Sequence, residues 1–591
     1  MSGRRIGGYV CQCGGNIGDY VSVDDVVAAV QSEPDVVVAR TAMFTCSDAT
    51  QQEIIKDIEE QKLDGIVVAS CSPKLHTFTF RDVAKRAGLN PYEYTQVNIR
   101  EQCSWTHTDD KAGATEKAAR LVRAGIAHTR LTEPLEPIVV QTLPKVVVIG
   151  GGIAGLRAAL GLAEIGLAAF VVEKEQQLGG WVGDFGEMYP HGKSGRQVTQ
   201  GLVEKVREHP AITTFTNAEV VGKSGSFGNY EVAIRINREP AETVTVQAGS
   251  IIVATGFDTY RVSDGEFGYG LEGVITLPDF KQLVDAQDGP LRYRGRPVRS
   301  IVYIYCVGSR QPEGNKYCSR YCCTAAVHSS LKVKGPVRQY HLYRDIRSYG
   351  KYELLYNESR EKGALYLRFP DDEPPVVAEA EAREGAGGTA AKASAGSAGY
   401  GLTVNTRDLL TGGEELTIPA DLVVLVTGMV PRQNDDLVKV LKLPVGADGF
   451  FNEIHPKLRP VETVVDGVFI CGACQSPKNL GESVASGLAA VSQSASILKR
   501  GYAELDPLIA VVDAEACEWC GLCLEACPYD APRQIDDNGK AVAAIDRTAC
   551  KGCGGCVPVC PRNAIDLLGY TDAQIRAMID GLLEELAPCQ P

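Results

Sequence analysis

The chain has 591 residues, 44% apolar and 23% charged, and its 74 acidic against 60 basic side chains leave a formal net charge of -14. That length holds about three to five domains with their own cores, and the negative balance argues against nucleic-acid binding through phosphate contacts. No window approaches the roughly 18 uninterrupted apolar residues of a spanning helix, and Met1-Ser2-Gly3-Arg4-Arg5 runs into strand-like Ile6 to Val10 without a secretory h-region, so no transmembrane segment and a cytoplasmic location are expected.

Twenty cysteines in such a chain point to metal ligation or redox chemistry rather than disulfides. Within residues 1–135, strand-like Ile6 to Val10, Val36 to Ala39, Gly65 to Ala69 and Tyr94 to Val97 alternate with helical Val23 to Val30, Gln51 to Gln61 and Phe80 to Ala87. This alternation predicts a small parallel α/β domain. Cysteine follows each strand, as Cys11 and Cys13, Cys46, Cys71 and Cys103. Ligands of open α/β sheets gather outside the carboxyl ends of the strands, so these thiols are expected to converge on one [4Fe-4S] cluster. Five candidates exceed four ligands, and it stays open whether Cys11 or Cys13 is the extra one. The alternative is a set of buried structural thiols.

A second domain is expected over residues 136–503. Strand-like Lys145 to Ile149 runs into Gly150-Gly151-Gly152-Ile153-Ala154-Gly155 and a helix over Leu156 to Ile165. This is the dinucleotide fingerprint in its strand-turn-helix setting. Gly150 permits the turn, Gly152 lets backbone approach a pyrophosphate, Gly155 allows close helix packing with Ala154 beside it as a further cofactor-binding candidate, and the helix N-terminus attracts the anion. The next strand, Ala168 to Val172, ends in Glu173 and Lys174, where a ribose hydroxyl is bound. Gly180-Trp181, Ala254-Thr255-Gly256 after a strand from Ile251, and Gly472 after a strand from Val468 complete a set that resembles thioredoxin-reductase-like flavoproteins with two dinucleotide folds, which implies FAD.

Those flavoproteins carry a second glycine fingerprint for NAD(P)H. Here the corresponding strand, Ser300 to Tyr305, opens instead into Cys306, followed by Cys318, Cys322 and Cys323, so an iron-sulfur cluster is expected there, with a vicinal Cys322-Cys323 disulfide as the alternative. Cys471-x2-Cys474 offers a reductase dithiol, but buried thiols are the favoured reading. The Ala-, Gly- and Glu-rich stretch 371–400 is expected to be a flexible surface loop.

Residues 504–570 hold the strongest signal. Cys517, Cys520, Cys523 and Cys527-Pro528, then Cys550, Cys553, Cys556 and Cys560-Pro561, repeat the bacterial ferredoxin run. The fourth cysteine of each run crosses to the other cluster. Cys517, Cys520, Cys523 and Cys560 are therefore expected to hold one [4Fe-4S] cluster, and Cys527, Cys550, Cys553 and Cys556 the other. A helical tail follows over 571–591, with Ile575, Ile579, Leu582, Leu583 and Leu586 at helical spacing and Cys589 beyond, not expected to be a ligand.

The order of parts resembles the A-type subunits of heterodisulfide reductase over nearly the whole chain. The resemblance rests on Cys11-Gln-Cys13-Gly-Gly-Asn16, Cys71-Ser-Pro-Lys-Leu-His76, Asn98-Ile-Arg-Glu-Gln-Cys103-Ser-Trp105, Cys306-Val-Gly-Ser-Arg310 and Tyr317-Cys-Ser-Arg-Tyr-Cys-Cys323. It implies an FAD-containing electron-transfer oxidoreductase subunit with four [4Fe-4S] clusters, working beside B- and C-type subunits of a larger complex, and in some members splitting electron pairs at the flavin. It also implies that Cys306, Cys318, Cys322 and Cys323 ligate one cluster. Long members insert a further two-cluster ferredoxin in the flavin domain, whereas the corresponding stretch here, Gly228 to Ile251, has no cysteine. Bifurcating members place a lysine five residues after the cysteine pair. This chain has His328 there, a candidate catalytic group beside the flavin with a partial charge near pH 7. Simple electron relay is therefore favoured over bifurcation, over a self-contained NAD(P)H-dependent disulfide reductase and over a non-catalytic scaffold.

Overall fold

The computed structural model describes residues 3–190, 192–380 and 401–583. Residues up to Val140 form one compact unit with those from Glu504 onward, and Gln141–Ala503 form a second. The expected amino-terminal and ferredoxin domains thus share a unit.

In the first unit, strands Val36–Ala42, Ile6–Cys11, Gly65–Ser70 and Tyr94–Asn98 lie side by side in that order, all parallel. The helix Asp48–Gln61 starts behind Ser47, whose side chain accepts from the Thr50 N–H. The helix Pro73–Arg86 starts behind Ser72 with proline in its first turn. That is seven residues before the predicted Phe80, because Ser-Pro is itself a start signal. The longest helix of the unit, Lys111–Arg130, has no counterpart among the predicted elements. Its buried face is built largely from alanine, with Ala114, Ala118, Val122 and Ile126 at four-residue spacing.

The carboxyl-terminal part pairs Ala510–Val512 with Ile565–Leu567 and Pro532–Asp537 with Lys540–Ile545, each antiparallel. The helix Asp572–Leu583 then lies on Lys111–Arg130, where a side chain at Gly581 would meet Ala124 Cα at 3.2 Å. Gln574 Nε2 donates to Leu131 O at 2.9 Å, and His128 Nε2 lies 2.8 Å from Gly569 O. Ile575, Ile579 and Leu583 of this helix are exposed. Leu586 and Cys589 lie outside the described residues.

The second unit contains two parallel five-stranded sheets. The first runs Ile212–Phe215, Ala168–Val172, Lys145–Ile149, Ser250–Val253, Val468–Ile470, and the second Val274–Thr276, Leu422–Thr427, Ser300–Val307, Arg338–Tyr343, Leu365–Arg368. Each is accompanied by a three-stranded antiparallel sheet, one from Ala218–Ser226, Asn229–Ile236 and Glu242–Ala248, the other from Val376–Glu379, Leu402–Asp408 and Glu414–Ala420. This is the expected pair of dinucleotide folds. The stretch without the inserted ferredoxin is a plain hairpin, Tyr230 opposite Ala248 through Ile236 opposite Glu242. Part of the expected 371–400 loop is ordered as the strand Val376–Glu379, because Val377 buries its side chain against the second core; residues 381–400 lie outside the described residues. Among the described residues, no helix is long and apolar enough to cross a membrane.

Candidate cofactor sites

The strand Lys145–Ile149 ends at Gly150 with φ of +109°, where a Cβ would lie 2.3 Å from Ala254 O. A Cβ on Gly155 would lie 1.9 Å from Gly150 O, so the helix Ile153–Glu164 reaches the turn only because that position is glycine. Beside the turn opens a cavity of about 890 Å³. Its walls include Gly150, Gly152, Ala154, Glu173, Lys174, Gly180, Trp181, Ala254, Thr255 and Gly256. Gly155 and Gly472 stand behind it as spacers, Gly472 against Ala154.

The cavity suits a dinucleotide. A Cβ built on Gly152 meets nothing within 4 Å, and Thr255 Oγ1 is buried without a hydrogen-bond partner. Glu173 has work besides the predicted ribose contact: its Oε2 accepts from Gly151 N–H at 2.6 Å and its Oε1 from Glu175 N–H at 2.9 Å, which braces the glycine turn. Trp181 Nε1 donates to Phe257 O at 2.8 Å.

Another wall of the cavity is the chain that carries the second cysteine group. Cys306 is the penultimate residue of its strand, at φ of +62°, and Cys322 and Cys323 open the helix Cys322–Leu331. Cys306 interacts electrostatically with Cys318 and Cys323, and Cys322 with Cys306, Cys318 and Cys323, so the four thiols form one group. Cys322 and Cys323 are free thiols hydrogen-bonded to each other, not a disulfide. Burial pushes the Cys306 thiol up to about 11, a cost that iron ligation would reverse. Arg320 and Tyr321, between Cys318 and Cys322, face the cavity, and Tyr321 donates to Thr427 O at 3.2 Å. The thiol group and the cavity share these residues.

His328 also lines the cavity, its ring 6.1 Å from that of Tyr189. Burial, together with Lys281 and Lys332, lowers its pKa to about 4 against the pull of Glu187 and Asp285, so it is neutral at pH 7. The expected partial charge is thereby corrected. Above about pH 6.5 the ring is neutral in both folded and unfolded chains; as pH falls toward 4 the unfolded chain takes up the proton first, so stability declines. His328→Gln is expected to make the loss of stability between pH 7 and pH 5 smaller, as read from urea midpoints at the two pH values.

An NAD(P)H-dependent dithiol reductase meets two obstacles. At the turn after Ser300–Val307, a Cβ on Gly308 would lie 2.0 Å from Tyr260 Cγ, so an aromatic ring packs where a phosphate cradle would be needed. Cys471 and Cys474 are buried at 0% and 4% exposure and are not part of the cavity wall, and burial raises both thiols.

In the first unit, Cys46 and Cys71 both interact electrostatically with Cys11 and Cys13, and Arg100 Nη1 lies 3.6 Å from Cys13 Sγ. These four thiols converge from three different strand ends. Cys103 does not join them: it is fully buried in the one-turn helix Arg100–Ser104, and the charge it interacts with is Lys117. Cys103 shares a hydrophobic core with Cys11 and Cys13, but its electrostatic partner differs from theirs.

In the ferredoxin runs, a small cavity is lined by Cys527, Cys550, Cys553 and Cys556, the predicted crossed set. Cys523 interacts with Cys517 and Cys520 in the other group. Backbone N–H groups already point at the sulfurs, from Ala510 to Cys550, Ala531 to Cys527, Ala543 to Cys517 and Ala564 to Cys560, at 3.3 to 3.4 Å. Such donors stabilise thiolates bound to iron. Among the described residues no three His, Cys, Asp or Glu side chains are spaced for a single metal ion. Cubane ligands each bind a different iron and stand farther apart.

Sequence reasoning missed Arg320, Tyr321, Lys281 and Lys478 as cavity residues. Arg320 and Tyr321 lie inside the quoted Tyr317–Cys323 string, Lys478 stands just before the Asn479 cap of the helix Leu480–Leu498, and Lys281 comes from a separate helix with no local signal.

Comparison with known proteins agrees with this geometry. Residues 144–299 match the pyridine nucleotide-disulphide oxidoreductase family, and residues 510–567 the 4Fe-4S dicluster domain. The chain is therefore an oxidoreductase that binds FAD and [4Fe-4S] clusters. Methanopyrus kandleri has two A-type iron-sulfur subunits of CoB–CoM heterodisulfide reductase, numbered 1 and 2. The chain is 36% identical to the second, over 91% of this chain and 92% of that one, and 34% identical to the first, over 98% of each. The alignment with the second spans 627 residues, more than this chain has, so that relative carries inserted segments. A solved thioredoxin reductase of T. acidophilum covers 60% of this chain and 99% of its own, with 18% identity and a TM-score of 0.38. The chain belongs to the family of heterodisulfide reductase A-type subunits, the iron-sulfur flavoprotein components of multi-subunit electron-transfer complexes.

Proposed function

We propose that this chain relays electrons through one FAD and four [4Fe-4S] clusters to and from cysteine-rich B- and C-type partner subunits. FAD, when bound, exchanges electrons in pairs or singly, while the clusters carry one at a time. The cavity beside Gly150–Gly155 holds the FAD. The clusters sit on Cys306, Cys318, Cys322 and Cys323; on Cys11, Cys13, Cys46 and Cys71; and on the two crossed ferredoxin sets.

One observation carries the reading: Arg320 and Tyr321 belong both to the loop between Cys318 and Cys322 and to the cavity wall, which puts the flavin next to a cluster where relatives of the fold admit a nicotinamide. A relay without bifurcation is supported by the cysteine-free hairpin at Tyr230–Ala248 and by the neutral His328. The names of the Methanopyrus relatives refer to a CoB–CoM heterodisulfide, and the terminal acceptor here is proposed to be a disulfide of that class, reduced on one of the partner proteins. Anaerobic affinity capture of the chain from its own cells is expected to bring down two cysteine-rich subunits, with disulfide-dependent reoxidation of the captured assembly. Capture of the chain alone, fully active with NAD(P)H, would contradict the proposal.

A further inference from the structure

Most of the cationic side chains around the flavin cavity are already matched. Arg235, Lys281, Arg320, Arg432 and Lys439 stand within 4.0 Å of carboxylates on Glu219, Asp285, Glu482, Asp258 and Asp436. Lys174 is exposed to water. Lys478 differs from all of these. It is partly buried, and its Nζ donates to Gln475 Oε1 at 3.1 Å and Ser476 Oγ at 2.8 Å, both neutral oxygens. Among the described residues, no carboxylate oxygen lies within 4.0 Å of it. An ammonium has three donors, so one remains.

A cation partly withdrawn from water with no carboxylate in contact is costly unless a ligand supplies a closer negative partner. The position of Lys478 indicates which part of the ligand that is. The pyrophosphate belongs at the N-terminus of the helix Ile153–Glu164, and the nucleoside beyond it, toward Glu173 and Lys174. Lys478 shares the cavity wall with Arg320, Tyr321 and Ala473; burial and Arg320 oppose its charge, while Cys474, Glu453 and Glu482 favour it from beyond contact distance. Two residues further on, the helix Leu480–Leu498 begins, and its positive end adds to the same field.

We propose that Lys478 is the residue that sets the reduction potential of the flavin, its ammonium, with no carboxylate in contact, stabilising the negative charge that the isoalloxazine ring gains on reduction. Charge near the ring nitrogens is the protein's main control over a flavin's electronics. Lys281, whose charge is balanced by Asp285, contributes less. The inference rests on FAD occupying this cavity, and it makes Lys478 a tuning residue rather than a ligand of any cluster.

The test is an anaerobic redox titration of the intact holoprotein and of Lys478→Met, Lys478→Gln, Lys478→Arg and Lys281→Met, with bound FAD counted by absorbance. Sulfite affinity serves as a second readout, because sulfite adds to the flavin and leaves the ring negatively charged. The Met and Gln variants are expected to keep FAD, to show a more negative flavin potential, and to bind sulfite about tenfold or more weakly, the range for losing one nearby opposite charge. Lys478→Arg stays close to the parent, and Lys281→Met shifts less than Lys478→Met. Met and Gln variants with full FAD and unchanged potential and sulfite affinity would overturn the proposal. So would loss of FAD from both, which would make Lys478 a binding residue only. A parent chain that retains no FAD would instead overturn the reading of the cavity itself.

Discussion

Gly155→Val yields a chain that keeps its ferredoxin iron and loses its FAD. The space at this position is already taken: a single Cβ would stand 1.9 Å from Gly150 O and 3.3 Å from Val148 Cγ1. Backbone oxygen cannot rotate away as a flexible side chain can, so the turn or the helix start must move. Overpacking of this kind costs about 1–3 kcal/mol in a core. Here the displaced element is also the pyrophosphate cradle, so binding is lost along with stability. The measurement is FAD released per chain after gel filtration, with iron counted in the same fractions. A valine variant that retains one FAD per chain would show that the cofactor is not held at this turn.

The second large effect concerns iron in the amino-terminal domain. Cys71→Ala is expected to lower the iron content by about four atoms per chain, one cubane, whereas Cys103→Ala leaves it unchanged. The contrast follows from position. Cys71 follows the strand Gly65–Ser70 and interacts electrostatically with Cys13 and Cys11, while Cys103, buried in the same core as Cys11, interacts with Lys117. Burial raises both thiols to about 11, so acidity alone does not tell them apart. Their neighbours do. Iron analysis after anaerobic reconstitution decides the matter, and equal iron loss in both variants would return Cys103 to the ligand set.

What can be read from the sequence is what is local. The ferredoxin ligands repeat at fixed short spacings, and the crossed set Cys527, Cys550, Cys553, Cys556 lines one small cavity as that spacing requires. The glycine turn is equally legible, because Gly150 and Gly155 meet obstacles from their own strand-turn-helix unit and its neighbour strand. The amino-terminal thiols are legible as a group but not in membership: whether Cys103 points to the strand ends or into the core depends on how Arg100–Ser104 winds, which no periodicity reveals. The helix Lys111–Arg130 is hard to see in the sequence because alanine and glycine form its inner face, a weak apolar signal that suffices only once Gly581 of the tail helix packs against it. The charge of His328 is misread from sequence because Lys281 and Lys332, which help keep it neutral, stand beside it only in the fold.

The claim that flavin and clusters form one electron path is tested most directly by anaerobic titration of the whole chain with a one-electron reductant. Flavin absorbance and cluster paramagnetic signals are followed in one sample that also yields iron and FAD counts. The expected result is one FAD with about sixteen irons, flavin and clusters filling and emptying together, and no reduction of either by NAD(P)H. About eight irons, with NAD(P)H steadily oxidised at a flavin whose electrons never reach the clusters, would contradict it and leave a reductase with an attached ferredoxin.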